Sequence, residues 1–398
     1  MVLKGKKMEK REKVLIVHNF YQIPGGEDIV VANEKQMLEA NGHEVILYTR
    51  HNSELKSFSK FQKILLPFST IFNLKTYHDI KKIIREEKIK IVHVHNTLNL
   101  ISPSVYYAAL HSHIPVVQTI HNFRLLCPGA TFFKNGHVCE ECLNKGLICS
   151  IKNKCYRGSR IQTLACVVST YIHRCMNIYG KLNYICLTEF NKEKLLCLKQ
   201  IKEENIYIKP NFVTSAKVVV PYKERANQIV YVGRLEEIKG MDVLLEAWKI
   251  MGKDAPKLLM CGTGPLEEWC RTYIDENCLN NVEMLGFLPN EQVRAIVGNS
   301  KALVLPTQVY EGFPMTIAEA YAAGTPVIGS DLGNTGSLIQ NGKNGWKFQP
   351  KSVEQLVESV EKIQRTFEGL DEESINRYSA EKNYEQLRNI YEACCNHY

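Results

Sequence analysis

The sequence predicts two doubly wound α/β domains, each built on a parallel β-sheet, with a cleft between them. Short continuous runs of Val, Ile and Leu alternate with helical patterns, and such runs are typical of buried parallel strands. The alternation begins again after residue 210. The chain has 398 residues, which is enough for two separate cores.

The first predicted domain covers residues 1–210. A helical pattern over 28–40 follows its first strand and ends at Asn41-Gly42, a typical C-terminal stop. Because parallel strands need helical crossovers, this order indicates a doubly wound sheet. Its strands are predicted at 14–18, 44–49, 91–95, 116–120 and 184–187.

The second predicted domain covers residues 211–379, and the join lies near Lys209-Pro210-Asn211. We expect the helical segment 380–398 to pack back onto the first domain. Ligands of open α/β folds bind at the C-terminal ends of the strands, so we expect the site in the cleft. The strands are predicted at 229–232, 258–261, 282–285, 302–305 and 327–329.

Composition narrows the class of protein. The formal net charge is +8, and residues 1–210 carry the basic excess. That half would face a membrane surface, a lipid-phosphate acceptor or nucleic acid, or its lysines would simply be solvated. The chain has no apolar run long enough to span a bilayer, and its basic N-terminus lacks the pattern of a secretory signal. We therefore expect a cytoplasmic protein.

The strongest chemical motif pairs two acids. Glu311 follows a predicted strand and precedes a helix that Pro314 would start, and Glu319 lies about two turns along that helix. Backbone N–H groups at the helix start can bind phosphate or hydroxyl oxygens. Both carboxylates can accept hydrogen bonds from sugar hydroxyls. The sequence therefore predicts a site for a ligand with two sugar rings.

With these motifs the chain resembles glycosyltransferase family 4, whose members are retaining enzymes of GT-B fold, with two Rossmann-like domains. The resemblance rests on the segments 233–240 (GRLEEIKG), 261–265 (CGTGP), 285–287 (LGF) and 311–319 (EGFPMTIAE). It implies that Glu311 contacts the transferred sugar and Glu319 the ribose. It also implies that Arg234 and Lys239 hold the donor diphosphate.

Physical chemistry agrees with these roles. Negative charge grows on the diphosphate as the sugar leaves, and two fixed cations stabilise that charge. We find no Asp-x-Asp pair placed to hold a catalytic metal. The predicted catalytic residues are His121, Glu311, Arg234 and Lys239. The predicted donor-binding residues are Gly25, Gly26, Arg234, Lys239, Gly262, Gly264, Phe287, Glu311, Gly312, Phe313, Met315 and Glu319.

The first half supplies two further elements. Gly25-Gly26 lies between a strand and a helix, where backbone can approach a ligand closely. The resemblance places this loop opposite the diphosphate. His121 ends a predicted strand, and the family often has a His there near the transferred sugar. His95 also ends a strand and has either a structural or a functional role.

Five cysteines crowd into an insert over residues 127–155. Cys139 and Cys142 form a C-x2-C pair, and a subset of family 4 enzymes has a similar stretch. Four thiolates could bind structural zinc. Free thiols near an acceptor pocket are the alternative. The predicted ligands are Cys127, Cys139, Cys142 and Cys155, with Cys149 or His137 as substitutes.

Basic residues cluster around this insert. Upstream, the segment 55–90 mixes lysines with apolar residues and would lie on an anionic membrane surface, or would pack into the first domain as an ordinary amphipathic helix. The basic residues are Arg124, Lys152, Lys154, Arg157 and Arg160. The apolar ones are Phe58, Phe61, Ile64, Leu65, Leu66 and Phe68.

The sequence as a whole favours a glycosyltransferase that moves a hexose-type sugar from a UDP- or GDP-sugar. The acceptor would be an oligosaccharide or a lipid-linked saccharide at the inner face of the plasma membrane, in surface polysaccharide biosynthesis. The alternatives are a sugar-nucleotide epimerase, a phosphorylase, and a non-catalytic partner or RNA-binding protein. The basic half lacks the interleaved aromatic residues of a base-stacking platform, so we expect no nucleic acid. Asn334 stands where many family members carry a Glu, which leaves the donor open.

Overall fold

The computed structural model describes residues 12–22, 25–213 and 219–396. Pro24, the basic residues 1–11 and residues 397–398 of the predicted C-terminal helix lie outside this part of the chain. The described residues form two parallel sheets with helices on their faces, which confirms the predicted fold class.

The first half of the chain alternates strands and helices around one sheet. Its elements are β1 (Lys13–Phe20), α1 (Gly26–Ala40), β2 (Glu44–His51), α2 (Lys60–Ile71), α3 (Leu74–Glu87), β3 (Ile91–Asn96), α4 (Ser104–Leu110), β4 (Val116–Ile120), β5 (Phe133–Lys134), β6 (His137–Val138), α5 (Glu141–Lys145), α6 (Ile148–Lys152), α7 (Arg160–Cys175), β7 (Asn183–Cys186), α8 (Glu189–Leu196) and β8 (Ile206–Ile208).

The second half repeats the pattern and ends in helices. Its elements are β9 (Ala226–Val232), α9 (Met241–Met251), β10 (Lys257–Cys261), α10 (Glu267–Glu276), β11 (Val282–Gly286), α11 (Asn290–Gly298), β12 (Ser300–Leu305), α12 (Met315–Ala322), β13 (Val327–Ser330), α13 (Gly333–Leu338), β14 (Gly345–Phe348), α14 (Val353–Thr366), α15 (Glu372–Ile375) and α16 (Ala380–Asn396).

Each half contains a six-stranded sheet. The strand order is β2-β1-β3-β4-β7-β8 in the first and β11-β10-β9-β12-β13-β14 in the second. Neighbouring strands pair in parallel throughout both sheets. The C-terminal ends of all strands in a sheet therefore lie at one edge, where the connecting loops can line a site.

The central strands are buried because helices cover both faces of each sheet, whereas the edge strand β2 has no fully buried residue. Residues of β1 alternate between two cores: Leu15 and Val17 lie in one, Val14 and Ile16 in the other. This two-sided burial explains the continuous apolar runs in the sequence. The second sheet is enclosed in the same way by two further cores.

Helix α16 closes the first domain rather than the second. Leu387, Ile390 and Tyr391 pack into the core that contains Val14 and Ile16 of β1. The last helix of the chain thus returns to the first sheet.

A buried ion pair ties this helix to the first sheet. Lys209 Nζ lies 3.1 Å from Glu34 Oε2, and both side chains are 1% exposed. The same ammonium donates to Asn383 Oδ1 of α16 over 3.0 Å. Burial would raise the pKa of Glu34, but Lys209 and His93 hold it well below its usual range. Glu34 is therefore a buried carboxylate whose charge is compensated.

Strand β8 lies in the strand-like segment just before the predicted domain join. Strand β14 was not predicted, because its four residues are too few for a clear periodic signal. The hairpin β5–β6 forms within the cysteine insert, where Asn135-Gly136 supplies the turn.

The buried pair allows a stability prediction. Lys209→Met leaves the Glu34 carboxylate buried without its cation, so we expect a loss of about 3–5 kcal/mol in the free energy of unfolding. Urea denaturation of this variant and of Lys202→Met, whose side chain is 68% exposed, measures the difference. A Lys209→Met protein as stable as the control would contradict the prediction.

Candidate active site in the interdomain cleft

Lys239 lies on the loop that follows β9, just before helix α9. The loop turns at Gly240, where φ is +72° and a Cβ would lie 2.1 Å from the carbonyl oxygen of Pro306. Only glycine fits so close to another backbone. This approach fixes Lys239 beside the loop that leaves β12.

Glu311 lies on that second loop and meets Lys239 directly. Lys239 Nζ is 2.6 Å from Glu311 Oε1, and the two side chains are 21% and 18% exposed. The hydroxyl of Thr307 donates to the same oxygen over 3.0 Å. The predicted cation and the predicted carboxylate are therefore neighbours, half-buried and preorganised.

This loop is also held by the first domain. A Cβ on Gly312 would lie 2.2 Å from the carbonyl oxygen of His121, so the two domains touch here through backbone. Tyr310 packs its ring between Phe123 and Phe190 of the first domain.

Asn334 completes this interdomain seam. Its amide donates to the carbonyls of Glu311 and Gly312 over 2.7 and 2.6 Å. It also contacts Asn191 of the first domain at 2.6 Å, and the hydroxyl of Thr188 donates to its oxygen. Asn334 is fully buried. The residue that departs from the family pattern therefore positions the Glu311 loop.

Two pockets open along the edge of the second sheet. Lys239, Glu311, Gly312 and His121 line one, which both domains form. Arg234 and Glu319 line the other. Its remaining walls come from the loops after β9, β10 and β11 and from α11: Val232, Gly233, Cys261, Gly262, Thr263, Phe287, Leu288, Asn290, Val293 and Arg294. Of the four charged side chains predicted to bind the donor, two therefore line the first pocket and two line the second.

Arg234 and Glu319 differ in exposure. Arg234 is 71% exposed and its guanidinium pairs with Glu236 at 2.8 Å, so it is free to reorient toward a ligand. Burial raises the pKa of the Glu319 carboxyl, and Arg294 opposes this. A carboxyl in such surroundings can hydrogen-bond a ribose hydroxyl.

Some predicted donor-binding residues lie beside the pockets. Phe313 and Met315 pack against the core beneath α12. Gly264 approaches the backbone of Leu235 instead of open space. Gly25 and Gly26 line neither of the two pockets described above.

His121 lies at the end of β4, backed by buried polar residues. Its Nε2 is 2.9 Å from Nδ1 of His95, whose Nε2 is 3.5 Å from Glu34 Oε1. Burial lowers the pKa of His121 well below its usual range and that of His95 to about 3. Both rings are therefore neutral, and His121 offers a hydrogen bond rather than a charge.

The loop that carries Gly25 is fixed by Asp28. Asp28 Oδ2 accepts the Gly25 N–H over 3.0 Å, and Oδ1 lies 2.7 Å from Nε2 of buried His18. The neighbouring Glu27 accepts from the hydroxyl of Tyr21 over 2.9 Å. Burial raises the pKa of Glu27 to about 8. Glu27 is thus a protonated acid near neutral pH.

The cysteine insert brings its thiols into one region. A Cβ on Gly129 would lie 3.7 Å from Cys127 Sγ and 3.5 Å from Cys155 Cβ. A hydrogen bond from Cys142, with backbone N–H groups of residues 129, 130 and 132, lowers the pKa of Cys127 to about 6 against the effect of burial. Among described residues, no three cysteine sulfurs lie within 4.8 Å of one another.

Outside the cysteine insert, one group in the described chain has metal-ligand geometry. The ligand atoms of Glu34, His93 and His95 all lie within 4.8 Å of one another. Lys209 already binds the second oxygen of Glu34, and the Tyr391 hydroxyl lies 2.7 Å from Nδ1 of His93. The Lys209 ammonium therefore already compensates the charge of Glu34, and the Tyr391 hydroxyl is already a hydrogen-bond partner of His93.

Sequence reasoning missed Glu34, Asn191 and the role of Asn334. A signal for Glu34 was present, because it lies on the apolar face of α1 with Val30, Val31 and Leu38. An acid in that position needs a buried partner. Asn191 and Asn334 act across the domain seam, which no local pattern encodes.

Among the helices of residues 12–22, 25–213 and 219–396, none combines the length and the apolar character that a membrane-spanning segment requires.

Both halves of the chain match known families. Residues 214–372 match the family described as glycosyl transferases group 1. Residues 24–137 match glycosyltransferase family 4.

Curated relatives match over part of their length. An uncharacterized glycosyltransferase of Methanocaldococcus jannaschii is 31% identical over 34% of this chain and 35% of its own. One named for colanic acid biosynthesis in Salmonella typhimurium is 30% identical over 35% and 36%. One named for amylovoran biosynthesis in Erwinia amylovora is 31% identical over 30% and 31%. The matches thus span about a third of these relatives.

Solved structures share the fold over almost the whole chain. The lipopolysaccharide outer core galactosyltransferase WaaB has a TM-score of 0.66 at 18% identity, covering 96% of this chain and 99% of its own. Anabaena HepE, in complex with UDP and glucose, has a TM-score of 0.59 at 14% identity, covering 96% and 100%. At these identities the likeness concerns the fold.

The raised pKa of Glu27 predicts a pH dependence of stability. The folded state keeps the proton up to about pH 8, whereas the unfolded carboxyl loses it near 4.5, so stability falls as the pH rises between these values. Glu27 lowers the free energy of unfolding by at most about 1.4 kcal/mol for each pH unit in this range. We expect Glu27→Gln to flatten the decline measured by urea denaturation from pH 5 to 9.

Glu39→Gln, at a 42% exposed acid on the same helix, is the matched control and should keep the wild-type decline. Parallel pH profiles for wild type and Glu27→Gln would refute the assignment.

Proposed function

Because the chain belongs to the glycosyltransferases of family 4 type, we propose that it transfers a hexose-type sugar from a nucleotide diphosphate sugar to a saccharide acceptor. The observation that carries the proposal is the pairing of Lys239 Nζ with Glu311 Oε1 at 2.6 Å in a pocket that also contains His121. A cation and a carboxylate at one cleft suit a ligand with adjoining phosphate and sugar.

We propose that the donor lies across both pockets at the edge of the second sheet. Glu319 would hold the ribose and Arg234 would reorient from Glu236 onto the diphosphate, because its guanidinium is largely exposed. Lys239 would exchange Glu311 for a phosphate oxygen, which frees Glu311 to accept from a sugar hydroxyl. The relation to HepE, described with UDP and glucose, supports a UDP-sugar over a GDP-sugar.

In the proposed reaction, the bond between the anomeric carbon and the phosphate oxygen breaks while the acceptor oxygen bonds to the same carbon. The electron pair goes to the nucleoside diphosphate, where Lys239 and Arg234 stabilise the new charge without a catalytic metal. The acceptor proton passes to the departing phosphate. Attack on the face that the phosphate leaves gives retention. Neutral His121 hydrogen-bonds the sugar.

We propose that the acceptor enters from the first domain. A pocket at the ends of β3 and β4 is lined by His95, Asn96, Thr119, His121 and Arg124. Amide, hydroxyl and guanidinium groups suit a saccharide that carries an anionic group. Relatives named for colanic acid and amylovoran biosynthesis support a role in polysaccharide synthesis. We propose that this polysaccharide is a surface one and that the acceptor is lipid-linked and presented at an anionic membrane.

A lysine substitution tests the donor site. Lys239→Ala should abolish most of the rise in melting temperature that a UDP- or GDP-sugar gives wild type, since a ligand of the folded state stabilises it by mass action. Removing one preorganised charge donor should also lower the transfer rate by about 10²–10³. Each variant is compared with its own ligand-free melting temperature.

Lys253→Ala, at an exposed lysine after α9, is the matched control and should respond like wild type. An undiminished ligand shift in Lys239→Ala would refute the assignment of Lys239. No shift of wild type by any nucleotide sugar would refute the proposed function.

We also propose that the insert binds structural zinc through Cys127, Cys139, Cys142 and Cys155. The side-chain contact of Cys127 with Cys142 supports a thiolate site, and so does the small Gly129 between Cys127 and Cys155. Zinc binding would require these four side chains to come together into a tetrahedron. The zinc would stabilise the segment that carries Phe132, whose ring packs against Tyr310.

Metal analysis of the purified protein tests the zinc proposal. We expect close to one zinc per chain, which Cys139→Ser should greatly reduce, with a lower melting temperature. Cys278→Ser, at an exposed cysteine far along the chain, should keep the metal. Metal-free protein from zinc-supplemented cells would contradict the proposal.

A further inference from the structure

Helix α2 presents its apolar side chains to solvent. Phe61, Ile64 and Phe68 are each 68% exposed, and Leu65 is 42% exposed. Positions i, i+3, i+4 and i+7 form one stripe along a helix. An ordinary core helix turns such a stripe inward, so this one lacks its partner in the described chain.

Helix α7 packs beside α2 and repeats the arrangement. Ile161 and Tyr171 are 76% and 65% exposed, with Leu164 at 47% and Val168 at 36% between them. Their spacing is again that of a single stripe. We call these eight side chains the α2–α7 face: Phe61, Ile64, Leu65, Phe68, Ile161, Leu164, Val168 and Tyr171.

The two helices that carry the α2–α7 face have positively charged side chains on or beside it and no negatively charged ones. Neither helix contains an Asp or Glu. Five exposed cations lie on or beside it and form no ion pair with any residue that the structure describes: Lys56, Lys60, Lys63, Arg157 and Arg160. Apolar stripes flanked by lysine and arginine are typical of helices that lie in the surface of an anionic bilayer.

A groove lies between α2 and α7. Its walls come from both helices and from the segment before α7, and its basic residues are Lys56, Lys63 and Arg157. Ile161 belongs both to the exposed stripe and to the groove, so the groove opens at the α2–α7 face. Leu66, Pro67 and Ala165 supply further apolar lining.

The groove lies next to the proposed acceptor pocket. Cys166 lines both the groove and the pocket that contains His121. The ring of Tyr156 has Arg124 and Arg157 within 5.2 and 5.3 Å of its centre. Arg124 belongs to the pocket and Arg157 to the groove, so a guanidinium group lies on each side of the boundary between the two cavities.

We propose that the α2–α7 face lies on an anionic lipid bilayer, and that the groove admits the phosphate-bearing head of a lipid-linked acceptor to the pocket beside His121. The acceptor part of this inference rests on the proposed function. A second copy of the chain fits poorly, because two such faces would oppose like charges. The bilayer satisfies both the apolar stripes and the unpaired cations.

Vesicle co-sedimentation tests the docking. Wild type should bind vesicles of equal parts phosphatidylglycerol and phosphatidylcholine at low salt, and bind phosphatidylcholine alone weakly. Phe61→Ser/Phe68→Ser should weaken binding about tenfold or more through lost apolar burial. Ile250→Ser, at a 57% exposed isoleucine in the second domain, is the matched control and should bind like wild type.

A soluble lipid phosphate tests the groove. Short-chain phosphatidic acid should raise the melting temperature of wild type, and the matching diacylglycerol should not. Arg157→Gln should lose this shift, whereas Arg160→Gln, at an exposed arginine outside the groove lining, should keep it. Equal shifts in the two variants would overturn the groove assignment.

The outcomes separate this inference from the proposed function. The face variants should keep the wild-type response to a nucleotide sugar, because no side chain of the α2–α7 face lines either donor pocket. Wild type that ignores anionic vesicles, or face variants that bind them fully, would overturn the docking and leave the donor site intact. Concentration-dependent dimers that the face variants abolish, or binding only to an acidic protein, would overturn it as well.

Discussion

The contact between Lys239 and Glu311 is the interaction on which the rest of the site depends. It joins two loops that leave neighbouring strands, β9 and β12, and it can form only because Gly240 lets one backbone lie against another. The ion pair fixes the positions of both half-buried side chains before a ligand binds. A ligand with a phosphate next to a sugar can take over both partners, which turns a structural ion pair into a binding site.

The first domain fixes the same loop from the other side. Asn334, Asn191 and Thr188 form a buried hydrogen-bonded seam, and Tyr310 seats its ring among aromatic residues that the cysteine insert supports. Buried polar networks of this kind are costly unless every group has a partner, so they specify one arrangement. The geometry of Glu311 thus depends on both domains, and the Asn at position 334 has a clear physical reason.

The sequence predicts the two sheets well, because buried parallel strands consist of continuous apolar runs that are recognisable in the sequence. It also predicts that Lys239 and Glu311 matter. It does not reveal that Arg234 and Glu319 line a separate pocket, nor that Phe313 packs inward, because these depend on side-chain directions within loops. The α2–α7 face illustrates a further limit: an apolar stripe over 61–68 has the same pattern whether it faces a core or solvent. Only the packing of the neighbouring helix decides.

Calorimetric titration of UDP and of UDP-sugars tests the central claim most directly, with wild type, Lys239→Ala, Glu311→Gln and the double variant. If Lys239 holds the diphosphate and Glu311 the sugar, Lys239→Ala weakens UDP and UDP-sugar alike, whereas Glu311→Gln weakens only the UDP-sugar. The double variant should then show a coupling energy between the two sites, because the side chains are in contact. Equal affinity of wild type and Lys239→Ala for UDP would contradict the account.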